Sequence, residues 1–269
     1  METVQVRGTS IDLVRRGKGP PLLFLHSGAG PVSHSATYLE QMTEKFDVIA
    51  PVHPGFGLQK RPDCVKTVDD LAYHYLDLMH ALGLNEVILV GAAFGGWIAS
   101  EIAVRCTQRI SKLVLIDPFG IKVKSREERE IADFFAVSPA DRATMEFTKA
   151  PFSNLTYAGK SEEELMVLAR GLEAEAFFGW SPFMHNPRLA HWLHRIAVPT
   201  LIVRGAQDEI VSMDNHRAYV ERIPDCRMEL IEGAGVFPHI EAPEAFNLCL
   251  TKFAAARTSK ITTQIGESA

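Results

Sequence analysis

The sequence predicts an α/β protein built on one mostly parallel central sheet covered by helices on both faces. Continuous apolar runs such as "PLLFLHS", "EVILVGA" and "ISKLVLIDP" read as strands buried on both sides. Amphipathic helical stretches alternate with them, which is the rhythm of βαβ units. With 269 residues, the chain is long enough to bury a full core of this kind.

Taken in order, "TVQVRG" and "SIDLVRRG" read as a hairpin, and Pro21 to Ser27 and Phe46 to Pro51 as buried strands. In "TVDDLAYHYLDLMHALGL", Leu71, Tyr75, Leu78 and Leu82 recur near helical spacing, with Thr67 as N-cap and Gly83 near the end. "EVILVGA", a helix from Gly95 and "ISKLVLIDP" follow. The alternation breaks between about Ile121 and Arg195, where "SREE" and "SEEE" look like capping boxes that open helices and no strand pattern occurs. It resumes with "PTLIVRGAQD", a helix near Asn215 to Arg222, the strand "RMELIEG" and a final helix from about Glu241 to Ala256. The expected division is a core of residues 1–120 and 196–258, a helical insertion at 121–195, and a polar, frayed tail at 259–269.

Composition narrows the function classes. A hydrophobic share of 46% with 23% charged residues is that of an ordinary soluble globular protein, and no apolar run reaches the roughly 18 residues of a membrane span. "METVQVRGTS" lacks the basic and apolar regions of a secretory signal, so a cytoplasmic location is expected. Cys64, Cys106, Cys226 and Cys249 are scattered, which argues against a disulfide framework or a metal site and predicts free thiols, mostly packed as small hydrophobes. A net charge of -5 without a basic run gives no nucleic-acid footprint. No phosphate-binding loop or metal cluster is found, so no cofactor is expected.

Chemistry concentrates at "VILVGAAFGGW", where Gly91, Ala93, Gly95 and Gly96 are spaced like the G-x-S-x-G turn that lifts a nucleophile above a sheet. The middle residue is alanine. A dinucleotide fingerprint is the alternative, but that motif follows the first strand of a βαβ unit and this one follows a middle strand.

With these residues in view, the chain resembles the α/β-hydrolase fold superfamily over nearly its whole length. "LLFLHSGAG" looks like the family's H-G loop, "APVHPGFG" like its D-x-P-G-x-G segment, and "GAAFGGW" like its nucleophile elbow. "LIVRGAQDEIV" looks like its acid-bearing strand end, and "GAGVFPHIEAPEAF" like G-x-G-H-x-x-x-x-E-x-P-x-x-F. The insertion falls where the family carries its cap domain. The resemblance places Ala93 at the serine position, Asp208 at the acid and Val236 at the histidine. Neither alanine nor valine can donate, accept or attack, and loss of a triad member costs about four to six orders of magnitude in rate.

His239, three residues beyond Val236, is a candidate surrogate base set against a packing role. Ser100 faces away from the elbow, and Asp117 ends a strand that some relatives use for the acid, although Asp208 matches better. The implied oxyanion donors are the amides of Phe94 and Gly28, which need no particular side chain. Ser27 replaces the usual glycine beside them, and His26 has a loop-holding reading next to a catalytic one. His53 reads as an ordinary surface or loop histidine. His26, Ser27, Phe177, Trp180, Met184 and Phe237 are the expected substrate-binding residues, with Phe177, Trp180 and Met184 as the pocket roof contributed by the insertion.

Three readings remain open at the level of sequence. One is a hydrolase whose serine was exchanged for alanine, cleaving ester or C–C bonds in its original form. The favoured one is a lyase, isomerase, cyclase or decarboxylase acting on a small apolar or aromatic molecule without a triad. The third is a ligand-binding pseudoenzyme. The expected partner is a small molecule, with no nucleic acid and no membrane, and the cap surface offers room for a homodimer contact.

Overall fold

The computed structural model describes residues 1–28, 36–125, 127–149, 151–152 and 158–256. Its sheet has eight strands in the order β1-β2-β4-β3-β5-β6-β7-β8. Strands β1 (Glu2–Val6) and β2 (Thr9–Arg16) form the predicted hairpin, turning on Arg7 and Gly8 with φ of 49° and 81°. Two successive positive φ values are what a two-residue hairpin loop needs to match strand twist. β2 runs antiparallel to β4 (Asp47–Pro51), and β3 (Pro21–Leu25), β4, β5 (Val87–Ala92), β6 (Ile110–Ile116), β7 (Thr200–Gly205) and β8 (Cys226–Ile231) are parallel. All six residues of β5 are buried, as are all six of β7, so their apolar runs face helices on both sides.

Two apolar clusters divide the faces. Helices α2 (Val68–Ala81) and α3 (Phe94–Arg105) cover one face, with Leu71, Tyr75, Ile98 and Ile102 packed on Leu23, Leu89 and Leu113. On the other face, α1 (Ala36–Met42) and α9 (Pro243–Ala255) bring Tyr38, Phe246 and Phe253 onto Phe24, Val90 and Val114. The α2 start is the predicted one: Thr67 accepts from the Asp70 amide while the Asp70 carboxylate takes the Thr67 amide.

Between β6 and β7 lie α4 (Pro139–Glu146), α5 (Glu162–Gly179) and α6 (Leu189–Trp192). "SEEE" opens α5 through a reciprocal Ser161–Glu164 box. "SREE" instead makes a turn, Glu128 N–H to Ser125 O at 3.3 Å, with no helix following. The reason lies downstream, where Glu130 takes the amides of Val123 and Lys124, and Ile131 bridges to Val211. Those bonds close the segment into a loop instead of a helix. After β7 come α7 (Met213–Arg222) and the short α8 (Pro238–Glu241), which ends where the final helix was expected to begin, while α9 matches that helix within two residues at either end. Pro238 and Pro243 each begin a helix, and Ala242 between them has φ −137°, so the backbone breaks there.

The four cysteines are free; Cys226 and Cys249 are partly buried against the two apolar clusters, whereas Cys64 is exposed, which corrects the packing expectation there. The tail 259–269 lies outside the described residues. Among the described residues, no helix is long and apolar enough to cross a membrane.

Candidate active site

The elbow is built by glycines that cannot be anything else. A Cβ on Gly91 would lie 2.3 Å from Gly95 O, and one on Gly95 would lie 2.1 Å from Leu25 O. The start of α3 is thereby pressed against the ends of β5 and β3. Ala93 sits between them with φ 47° and ψ −107°, a strained conformation for a residue with a Cβ. It is buried, and its carbonyl accepts from Trp97 and Phe119. Phe94 begins α3, so its amide is among the N-terminal donors that the helix itself leaves without a partner.

At the expected base position the loop 234–236 is fixed from both sides. Gln207 and Ala234 exchange hydrogen bonds of 3.0 Å, and the Gly235 amide donates to Glu241 Oε2 at 2.7 Å. Val236 is 1% exposed and belongs to the same apolar cluster as Ala93, Phe94 and Phe237. Glu241, the glutamate of "PHIE", also accepts from the amides of Thr148 and Lys149 at 2.8 and 3.0 Å. One carboxylate therefore ties the inserted segment to the core beside Val236.

Asp208 does not stand ready for a histidine. Its Oδ1 accepts from the Ile210 amide at 2.7 Å and its Oδ2 from Arg204 at 2.8 Å. Asp117, which sequence reasoning set aside, lies beside it and is hydrogen-bonded to it, with His216 Nε2 3.0 Å from Asp117 Oδ1. Burial pushes Asp117 up to about 8, and burial with the adjoining Asp117 carboxylate pushes Asp208 up to about 8. Two carboxyl groups in such contact share a proton. Asp117, Asp208 and His216 place ligating atoms within 4.8 Å of one another, but the Arg204 guanidinium already supplies positive charge there.

The histidines are structural in geometry. His26 Nε2 accepts from the His53 amide at 3.0 Å and its Nδ1 bonds Ser27 O, so both ring nitrogens serve the backbone rather than a substrate. His53 lies in a loop, as expected, but is fully buried, which corrects the surface alternative: its ring stacks on His26 at 3.6 Å, with Nε2 on His26 O at 2.9 Å and Nδ1 on the Tyr75 hydroxyl. Burial lowers His26 to about 3 and His53 well below its ordinary value. His239 is also corrected as a surrogate base, because its buried ring packs among Phe24, Tyr38, Phe237 and Phe246. Phe24, Tyr38 and Phe246 belong to the cluster on the α1/α9 face, opposite the one that holds Ala93. Burial drives His239 down to about 3.

Of the expected roof, Met184 is fully buried; Phe237, the other apolar residue expected to bind substrate, packs on Phe147 at 5.3 Å. Phe177 is 49% exposed, under Arg61 at 4.0 Å, and does not roof the site. One position along α5 turns a side chain by about 100°, and it is Phe178 that faces Phe94, at 6.1 Å. Trp180 is 64% exposed and edges a cleft of about 740 Å³ shared with Ile121, Phe183 and His185. Ser27 is partly buried and Gly28 buried.

Sequence reasoning missed a buried charge cluster. Arg142 of α4 bonds Glu146 at 2.7 Å and Glu175 of α5 at 2.8 Å, with its guanidinium 4.4 Å over the Phe134 ring. The Glu175 carboxylate lies on the oxyanion loop, since a Cβ on Gly28 would meet it at 2.4 Å. Burial raises Glu146. The available signal was a charge on the apolar stripe Gly171, Ala174, Glu175 and Phe178, all buried in α5.

A sequence model described as the alpha/beta hydrolase family matches residues 22–247. The chain belongs to that family. Among its curated relatives, 2-hydroxymuconate semialdehyde hydrolase of Pseudomonas putida is 26% identical over 263 residues, covering 92% of each chain. The 2-hydroxy-6-oxo-6-(2'-aminophenyl)hexa-2,4-dienoic acid hydrolase of Metapseudomonas resinovorans is 24% identical over 276 residues, or 94% of this chain and 90% of the relative. A solved serine hydrolase involved in carbazole degradation superposes with a TM-score of 0.76 at 22% identity, covering 95% of this chain and 98% of that one. An esterase from Exiguobacterium antarcticum gives 0.70 at 20%, over 94% and 99%. These similarities fix the alpha/beta hydrolase fold, and both of these curated relatives are hydrolases by name.

Proposed function

We propose that this alpha/beta hydrolase family member acts on a small apolar or aromatic carbonyl compound by chemistry that uses no Ser-His-Asp triad. One observation carries the reading: Ala93 and Val236, at the nucleophile and base positions, are both buried in one apolar cluster, while the strained elbow and the helix-terminal amide behind it persist. What remains of the family's apparatus is polarisation of a carbonyl oxygen by backbone donors, which supports steps through an enolate-like charge. Asp208, engaged by Arg204 and hydrogen-bonded to Asp117, supports the same reading. The core 1–120 and 196–258, with 121–195 as a cap above the elbow, is the domain division proposed with it. Phe94 and Gly28 are its oxyanion donors and Phe178, Met184 and Phe237 its apolar walls.

The test is ester and C–C-bond hydrolysis by the protein and by the Ala93→Ser, Val236→His double variant, on aryl and alkyl esters and on 2-hydroxymuconate semialdehyde. The expected result is no turnover by either. Rapid hydrolysis by the double variant alone would make the chain a disabled hydrolase and overturn the reading.

A further inference from the structure

Three contacts tie the Arg142–Glu146–Glu175 cluster to the loops around the elbow, the last of them through Phe134 and Phe119. The Glu175 carboxylate presses on Gly28, the oxyanion-loop residue, and a Cβ on Gly171 one turn earlier would lie 2.7 Å from Gly28 O. Glu146 O is 2.7 Å from where a Gly235 Cβ would stand, beside Val236. Phe134, under Arg142, stacks on Phe119, whose amide donates to Ala93 O at 3.1 Å. The cluster is thus bracketed by the oxyanion loop, the base loop and the elbow. Glu175 is 2% exposed, its Oε2 accepts from Arg142, and among the described residues no donor reaches Oε1.

Buried ion pairs of this kind are costly to desolvate, and replacing them with apolar side chains is often neutral or stabilising. A charged group kept in an apolar site beside backbone donors is the arrangement used for proton transfer at carbon. We propose that Glu175 is the catalytic base of this protein, moving a proton to and from the carbon next to a ketone carbonyl of a small aryl or apolar substrate. The inference rests on the triad-independent reading above and names the group that performs it.

The step balances without a cofactor. Glu175 Oε1 takes the C–H proton, the C–H electron pair becomes the C=C bond, and the carbonyl pair moves onto oxygen, where the Phe94 and Gly28 amides hold it. The same carboxyl group returns the proton, to the original carbon for exchange or to a conjugated carbon for isomerisation. Arg142, bonded to Glu175 Oε2 and Glu146, is a positioning residue that aims Oε1.

The experiment measures deuterium uptake at the benzylic carbon of 1-phenylpropan-2-one and at the α-carbons of a set of related aryl ketones by NMR, with binding of 2-naphthol, a planar enolate mimic, read in parallel. The protein is expected to accelerate uptake over buffer, Glu175→Gln to lower it by at least about 100-fold, and naphthol affinity to change less than about threefold. Where Glu175→Gln does not fold, Glu175→Asp carries the test with an expected loss of at least about tenfold. Undiminished exchange in a folded variant would overturn the role of Glu175 and leave the triad-independent reading standing. No exchange with any ketone by a protein that binds 2-naphthol would overturn both and make the chain a binder, and no exchange without that binding would overturn both equally.

Discussion

At Ala93 the backbone holds a shape that a residue with a Cβ disfavours. A positive φ at a residue with a Cβ costs on the order of 1–3 kcal/mol and persists only where the surroundings impose it. Here Gly91 and Gly95 impose it through contacts that leave no room for adjustment. Ala93→Gly should therefore stabilise the fold by roughly 1 kcal/mol, since glycine meets no Cβ penalty in that region. Urea denaturation checks it, and a loss of stability would mean the elbow is relaxed. The His53–Tyr75 pair gives the opposite sign. Tyr75→Phe strands a buried imidazole nitrogen that now has a hydroxyl partner, and should cost about 1–3 kcal/mol in the same assay.

Helix α5 shows why part of the site was legible in sequence and part was not. Its start followed from local chemistry, because Ser161 and Glu164 satisfy each other within one turn. The sheet was equally readable, since strands buried on both faces write continuous apolar runs. By contrast, Glu175 acquires its meaning from Gly28 and Arg142, 147 and 33 residues away, and His53 from Tyr75, 22 residues on. The same limit misassigned Phe177, where a one-residue difference in helical phase decides between roof and surface. Gly171→Ala tests how tightly α5 is seated. Helix propensity would return about 1 kcal/mol, but a Cβ at 2.7 Å from the backbone oxygen of Gly28 is overpacking, which costs about 1–3 kcal/mol. A net loss of up to about 2 kcal/mol is expected by denaturation, because a backbone oxygen gives way less readily than a side chain. Stabilisation by the full propensity gain would show that α5 rides free of the oxyanion loop.

For the molecule as a whole, the buried titratable groups set a pH optimum of stability. His26 and His239 are lowered to about 3, His216 to about 4 and His53 well below its ordinary value, chiefly by burial. Groups held neutral in this way contribute stability that is full above the unfolded value of about 6.5 and is lost as pH falls through the folded values. Asp117 and Asp208 act in reverse. Raised to about 8 by burial, they contribute stability that is full below the unfolded value of about 4 and is lost as pH rises through the folded one. Between about pH 4 and 6.5, four imidazoles outweigh two carboxyls and stability rises with pH. From 6.5 to 8 only the carboxyls still differ between the two states, so it falls, with a slope of about 1.4 kcal/mol per pH unit for each proton involved. The maximum should stand near pH 6.5. Asp117→Asn separates the two contributions, because an amide beside Asp208 cannot compete for the shared proton, and Arg204 then favours the Asp208 carboxylate. Urea midpoints at pH 5.5, 6.5 and 8 should therefore decline from 6.5 to 8 in the unsubstituted protein and decline less steeply in the variant, where burial still acts on Asp208 but Asp117 no longer does. A level profile in both would mean that Asp117 and Asp208 hold no proton above the ordinary carboxylate range, leaving Arg204 to neutralise two full charges.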